Sequence, residues 1–205
     1  MGKEESSVSY EKLILDVAEK SFAEKGFANT KLTSIAQDAN VNHALIHYYY
    51  RSKTNLYDCV VKRLFEKWVT TVRQFNWEDE EPTKVLTDYI SKYFYFHIES
   101  ENFQKIRAWD SIEQINLFDT YTREYWENDL KAKVLKIEEW KKRQLIREDI
   151  NPTFLMQTIW CMVKNFYSYS ETDLKTMYGN TNSISENREL LIQSIADFII
   201  NNIKR

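Results

Sequence analysis

The sequence predicts an all-α chain, with a small N-terminal three-helix head and a larger helical C-terminal body. Three observations carry this. Glycine and proline are scarce, 3 and 2 in 205 residues, too few for the frequent tight turns of a sandwich or barrel. Apolar residues recur at helical spacing along most of the chain. The few punctuating residues stand where helix ends need them. A composition of 43% hydrophobic and 29% charged residues is that of a folded domain rather than a disordered one.

The first helix is expected over 10–25, where Ile14, Val17, Ala18 and Phe22 share a face and Gly26 supplies a stop. Thr33 reads as the cap of a short helix through Ile35 and Ala36, ending at Asn40, a residue that tolerates the left-handed region. Asn42 reads as the cap of a second short helix over 43–50. Ser52 caps a longer run through Leu56, Val60, Val61, Leu64, Phe65 and Trp68. The acidic run Glu78-Asp79-Glu80-Glu81 before Pro82 suits a helix start, by dipole and by the fixed φ of proline. Asn151-Pro152 suits another. Helices are therefore expected near 82–99, 102–117, 119–145, 152–171 and 185–203, with a polar loop at Gly179-Asn180-Thr181-Asn182-Ser183. In the third of these, Glu127/Lys131, Asp129/Lys133, Glu138/Lys142 and Glu139/Arg143 stand at i,i+4, the mark of an exposed face. The division expected is 1–52 for the head and 53–205 for the body.

Several classes are excluded. No apolar run is long enough to span a membrane, and the N-terminus has no apolar core of a secretory signal. Two cysteines, Cys59 and Cys161, make no disulfide framework, and a reducing cytoplasm is the simple location. Met1-Gly2-Lys3-Glu4-Glu5-Ser6 fits the loose acylation pattern, but no basic patch supports it, and one acyl chain alone anchors weakly. The net charge of −3 excludes a surface coated in basic charge, so any nucleic-acid contact is local.

Residues 10–57 carry the local pattern. Two short helices joined by Ala39-Asn40-Val41-Asn42 form a helix-turn-helix, with an αL-tolerant residue, an apolar plug and a cap. Ile35, Ala36, Val41, Leu45 or Ile46, and Tyr49 have the spacing to lock the pair near a right angle, and the second helix then projects outward. From Asn40 to Tyr57 there is no acidic residue. The window holds His43, His47, Arg51 and Lys53, with hydroxyls at Tyr48, Ser52 and Thr54, donors suited to phosphate oxygens.

These residues resemble the N-terminal domain of the tetracycline-repressor (TetR) family of bacterial regulators. The matching positions are Ala18, Phe22, Gly26 and Phe27, then Thr30, Ile35, Ala36, Val41 and Asn42, then Ile46, Tyr49, Tyr50, Ser52, Lys53 and Leu56. The family usually has glycine at Asn40, serine at Asn42, tyrosine at His47 and phenylalanine at Tyr50. Asn40 and Asn42 keep the backbone and capping roles, and the Tyr50 hydroxyl needs a partner near the core edge. More faintly, Tyr48-Tyr49, Leu56-Tyr57 and the Asn151-Pro152 to Ile159-Trp160 segment resemble the branch containing the pyrimidine-utilisation regulator. The resemblance implies a one-component transcription regulator, a repressor of a palindromic operator, homodimeric and released by a small-molecule effector. It implies that Thr33 and Lys53 contact phosphate, that Asn42, His43 and Ala44 face the groove, and that His47 and Tyr48 meet backbone or bases.

The body offers less. Its aromatics, Tyr93, Phe96, Phe103, Trp109, Trp126, Trp160, Phe166 and Tyr167, are mainly core. A ligand pocket lined by Trp109, Gln114, Trp160 and Lys164 follows from polar residues embedded among them. The last two large helices carry apolar residues around more than one stripe, so they are expected to pair between subunits through Phe166, Leu191, Ile195, Phe198 and Ile199. No cofactor and no metal are expected. His43 and His47 have chelating spacing, but the position beside the first is Ala44 rather than a glutamate base. His97 reads as a satisfied core residue. With three histidines and isolated glycines, no nucleophile–base pair or phosphate loop is visible. The competing readings are a helical adaptor for a protein partner and a carboxylate enzyme, and an electrophoretic shift with genomic DNA separates both from the regulator.

Overall fold

A computed structural model describes residues 2–205 except 74, 76, 78–80, 167, 168 and 180–182. Met1, Glu78-Asp79-Glu80, Tyr167 and Asn180-Thr181-Asn182 therefore lie outside the described residues. Within them the chain is helical, with ten helices and no strand. These are α1 Gly2–Asn29, α2 Leu32–Asp38, α3 His43–Tyr50, α4 Lys53–Arg73, α5 Pro82–Glu99, α6 Glu101–Ile112, α7 Leu117–Lys142, α8 Pro152–Phe166, α9 Glu171–Tyr178 and α10 Ile184–Ile203.

The chain forms two compact units. The first holds Met1–Val69 and Ser100–Arg123, and the second holds Thr70–Glu99 and Glu124–Arg205. The first thus contains the expected head and adds most of α4, all of α6 and the start of α7. In it α1 packs on α6 and α2, and α2 on α3. Its core gathers Ile14, Phe22, Ile35, Ile46, Leu56, Tyr57, Ile106 and Phe118. In the second unit α10 packs on α5, α8 and α9, and α5 also meets α8. Leu86, Ile90, Phe94, Ile137, Trp140, Ile159 and Ile195 fill that core. No described helix is long and apolar enough to cross a membrane.

Where boundaries differ from expectation, local backbone chemistry accounts for it. α2 begins at Leu32, with Lys31 at the cap position and no side-chain cap, so Thr33 is a helical residue. α6 ends at Ile112 because Gln114 and Asn116 take positive φ, 55° and 60°. The buried Asp110 carboxylate then accepts from Leu117 and Phe118 N–H at 3.3 and 3.2 Å, capping α7. The expected helix 152–171 stops at Phe166. A separate α9 follows, opened by a capping box in which Ser170 and Asp173 exchange hydrogen bonds. Ser183 and Glu186 open α10 in the same way.

The charged face of α7 is also revised. Glu139 pairs with Arg143 at 3.2 Å, and Glu138 pairs with Lys141 at 3.1 Å. Asp129 and Lys133 do pair, but Lys133 is buried. Aromatic rings from the rest of the second unit cover this part of the helix.

Candidate nucleic-acid interface

The turn between α2 and α3 is built as the sequence requires. Asn40 takes φ 51°, the left-handed region that most side chains avoid. Val41 N–H then donates to Ala36 O at 2.9 Å. Asn42 stays extended, and its side-chain oxygen accepts from Ala44 N–H at 2.9 Å, capping α3. Ile35, Ala36, Ile46 and Tyr50 form the buried seam. Of the alternatives at that seam Ile46 is buried and Leu45 only partly, and Tyr50 points inward while Tyr49 is half-buried. The Tyr50 hydroxyl finds its partner in the Glu11 carbonyl at 2.8 Å. Burial pushes its pKa upward, so it remains a neutral donor.

This packing leaves one face of α3 to solvent. Asn42, Ala44 and His47 are exposed, and Tyr48 is 77% exposed. His43 is half-buried, its ring edge-on to that of His47 with centroids 4.6 Å apart. The Nδ1 atom of His47 lies 3.0 Å from the Arg51 carbonyl oxygen, which directs its Nε2 outward. Thr33 is exposed on the first turn of α2.

Lys53 begins α4, where Ser52 Oγ accepts from Asn55 N–H at 3.1 Å. Its ammonium donates to Thr30 O at 2.8 Å and Ala28 O at 3.2 Å, and lies 4.4 Å from the Phe27 ring centroid. Sequence reasoning put this lysine on phosphate. In the structure two of its three N–H groups hold the α1–α2 connection.

That connection is braced from residues distant in sequence. Gly26 takes φ 75° and ψ 176°, a conformation open only to glycine, and breaks α1 there. A Cβ at Gly26 would meet Glu113 Oε1 at 2.7 Å and the Trp109 ring at 3.0 Å. The Glu113 carboxylate accepts from Phe27 and Ala28 N–H at 2.8 and 3.0 Å, and Trp109 Nε1 donates to Ala23 O at 3.2 Å. On α4, Arg63 pairs with Asp16 at 2.6 Å and Glu19 at 2.5 Å on α1. Tyr57 OH donates to Asp110 at 3.3 Å. Burial raises the Asp110 pKa, opposed by the Phe118 and Leu117 N–H groups. The local sequence signals none of these long-range contacts except Gly26.

The result is a rigid helix-turn-helix whose outward helix presents small, polar and aromatic side chains in an acid-free window. Residues 14–60 match the model for bacterial regulatory proteins of the tetR family, and residues 61–205 match that of the YcdC-like protein C-terminal region. The chain belongs to the TetR family of transcriptional regulators. As a member, it is a regulator with a DNA-binding head and is not an enzyme.

Among its relatives is the HTH-type transcriptional regulator RutR of Escherichia coli (strain K12), 34% identical over 90 residues. That match spans 43% of this chain and 42% of RutR, so the chain aligns to less than half of that relative's length. Three solved structures share the fold of this TetR-family chain at low identity. SCO4942 of Streptomyces coelicolor has TM-score 0.69 at 19% identity, covering 91% of this chain and 96% of that one. KstR2 of Mycobacterium tuberculosis, a ketosteroid transcriptional regulator, has TM-score 0.68 at 14%, covering 95% of each. FadR of Bacillus subtilis, solved with stearoyl-CoA, has TM-score 0.62 at 17%, covering 94% and 98%.

The residues expected to line a pocket do not gather in one unit. Trp109 and Gln114 belong to the first and Trp160 and Lys164 to the second. Gln114 and Lys164 are exposed, whereas Trp109 braces Gly26. The expected subunit contact also needs correction at the residue level. Leu191, Ile195 and Ile199 are buried within the chain, because α10 turns that stripe toward its own core. Phe198 is 54% exposed and Phe166 is half-buried. Leu190 on α10 and Phe154 on α8, the latter 68% exposed, are further apolar residues that these two helices leave exposed.

Proposed function

We propose that this TetR-family protein is a cytoplasmic repressor that binds a palindromic operator as a homodimer and releases it when a small molecule occupies the body. The observation that carries the DNA-binding part is the outward face of α3. Ala44 and Tyr48 are exposed there with no part in the cap or the turn, beside Asn42, whose side chain caps α3, and His47, whose Nδ1 meets the Arg51 carbonyl. Core packing does not use the exposed Tyr48 ring, and the donors of this face suit base edges and phosphates. Thr33, His43 and Lys53 flank it.

The dimer is supported by a groove between the ends of α8 and α10, lined by Phe154, Leu155, Thr158, Phe198, Ile199 and Asn202 among others. Two exposed phenylalanines beside one groove fit a self-complementary two-fold contact. Pairing there would serve two recognition helices set roughly 34–36 Å apart on one face of a duplex. Release then requires an effector that binds the non-DNA-binding conformation better, and a 100-fold change needs about 2.7 kcal/mol of differential affinity.

The test is an electrophoretic shift with genomic fragments, followed by Tyr48→Ala. The wild type should retard a palindromic fragment. The variant, whose exposed ring supports no core packing, should keep its melting temperature and lose about tenfold or more in affinity. Wild-type failure to bind any fragment would leave the head without its function.

A further inference from the structure

The second unit buries a cation. Lys133 on α7 is 3% exposed and ion-paired with Asp129 one turn earlier. Its ammonium lies 5.7 Å from the ring centroid of Trp77 and 5.2 Å from that of Tyr89. Trp77 meets Tyr89 edge-on at 5.3 Å and stacks with Trp140 at 6.0 Å. Tyr89 OH accepts from Trp160 Nε1 at 2.6 Å, and the Trp160 ring lies 4.6 Å from that of Trp126.

The hydrogen-bonding groups of this cluster do not balance. Trp77 Nε1 and Trp140 Nε1 are buried, and no acceptor among the described residues reaches either. Indole and ammonium nitrogens only donate. The Tyr89 oxygen already accepts from Trp160, and its own O–H is a further donor. The Asp129 carboxylate is held by Lys133. Unpartnered buried donors are rare in folded proteins, and a buried ammonium is unfavourable unless anions surround it. Burial indeed lowers the Lys133 pKa, with Asp129 opposing the shift. What the cluster lacks is a group with several acceptor atoms and negative charge, and its walls are aromatic faces.

We infer that this cluster binds a small flat acid, an aromatic carboxylate. This deepens the effector reading above and rests on it. The carboxylate accepts from Lys133 and the two indole N–H groups, and the ring lies against the aromatic faces. Asp129, less buried than its partner, is released from Lys133 and turns toward water. An amide lacks the charge and an aliphatic acid lacks the ring, so each forgoes part of what the cluster offers and binds more weakly.

The experiment titrates the full-length protein with benzoate, following tryptophan fluorescence and binding heat. Saturable binding with Kd of about 1 mM or tighter is expected, and benzamide and hexanoate should bind at least about tenfold more weakly. Lys133→Met should abolish the response. Because that variant leaves Asp129 without its partner, the double variant Asp129→Asn/Lys133→Met is the control for folding, checked by circular dichroism, and it too should not bind. Trp140→Phe, which keeps a ring and removes the N–H, should weaken binding several-fold. No benzoate binding by the wild type, or full binding by the folded double variant, overturns the site. Operator release is read separately on retarded DNA. If benzoate binds and the operator stays bound, the site stands and the effector reading falls.

Discussion

Lys53 shows how a residue's role depends on partners outside its own helix. Its position at the start of α4 suits a phosphate contact, and the sequence supports no other reading. The structure gives its ammonium two backbone carbonyls and an aromatic face. Lys53→Ala should therefore lower the stability of the first unit by about 1–2 kcal/mol, from a charged hydrogen bond and a cation–π contact, both partly solvated. A lysine spent wholly on phosphate would instead lower the slope of log affinity against log salt by about 0.9 and leave the melting temperature unchanged. Calorimetry together with a salt series separates the two. Of the residues that sequence placed correctly, Asn40, Asn42 and Ser52 act within their own turn, and Tyr50 faces the core with its hydroxyl reaching Glu11 on α1. Those it misjudged, Thr33 as a cap and Lys133 as a surface cation, depend on what neighbouring elements cover.

At the scale of elements, Gly26 is the clearest test. Its φ of 75° strains any side chain, and a Cβ would displace the Glu113 carboxylate and press on the Trp109 ring at 3.0 Å. Gly26→Ala should destabilise the first unit by more than about 1 kcal/mol and weaken operator binding through displacement of α2. Unchanged urea unfolding would contradict this. The helix starts carry a pH dependence of definite sign. Hydrogen bonds from Ser170 hold the Asp173 carboxyl below its ordinary pKa, and the Ser183 N–H does the same for Glu186. Folded-state values below the unfolded ones mean stability that is present above pH of about 4 and lost as pH falls through the folded values. The first turns of α9 and α10 should fray below pH of about 4, and Glu186→Gln should remove the α10 part, as followed by helical circular dichroism. Element types and most starts were legible from periodicity, prolines and caps. The Ser183-x-x-Glu186 box that opens α10 fits a capping signature that the sequence reading left unused. The end of α6 was not, because Gln114 and Asn116 reach positive φ only where Asp110 captures the start of α7.

For the whole molecule, the exposed phenylalanines make the dimer falsifiable. Phe198→Asp places a charge on an exposed position of α10, so the chain should still fold. Sedimentation should show a dimer for the wild type at micromolar concentration and a monomer for the variant, with operator affinity reduced about tenfold or more as bivalent binding is lost. A wild-type monomer would remove the basis for palindromic recognition. A charge at Ile199 would confuse this test, because Ile199 belongs to the chain's own core. Amphipathic coverage indicated that α10 had surplus apolar surface, but the sequence could not assign which stripe met which neighbour.

The first unit is assembled from two stretches of chain, 1–69 and 100–123, with part of the second unit encoded between them. Glu113 and Trp109 supply the brace at Gly26 from the later stretch. On a ribosome the helix-turn-helix emerges long before that brace exists. At about 5–20 residues per second, several seconds separate the synthesis of Gly26 from that of Glu113. During that interval the connection between α1 and α2 has neither the carboxylate that caps it nor the indole that packs on it. The reading head of this regulator is thus completed late in synthesis, although it is encoded first.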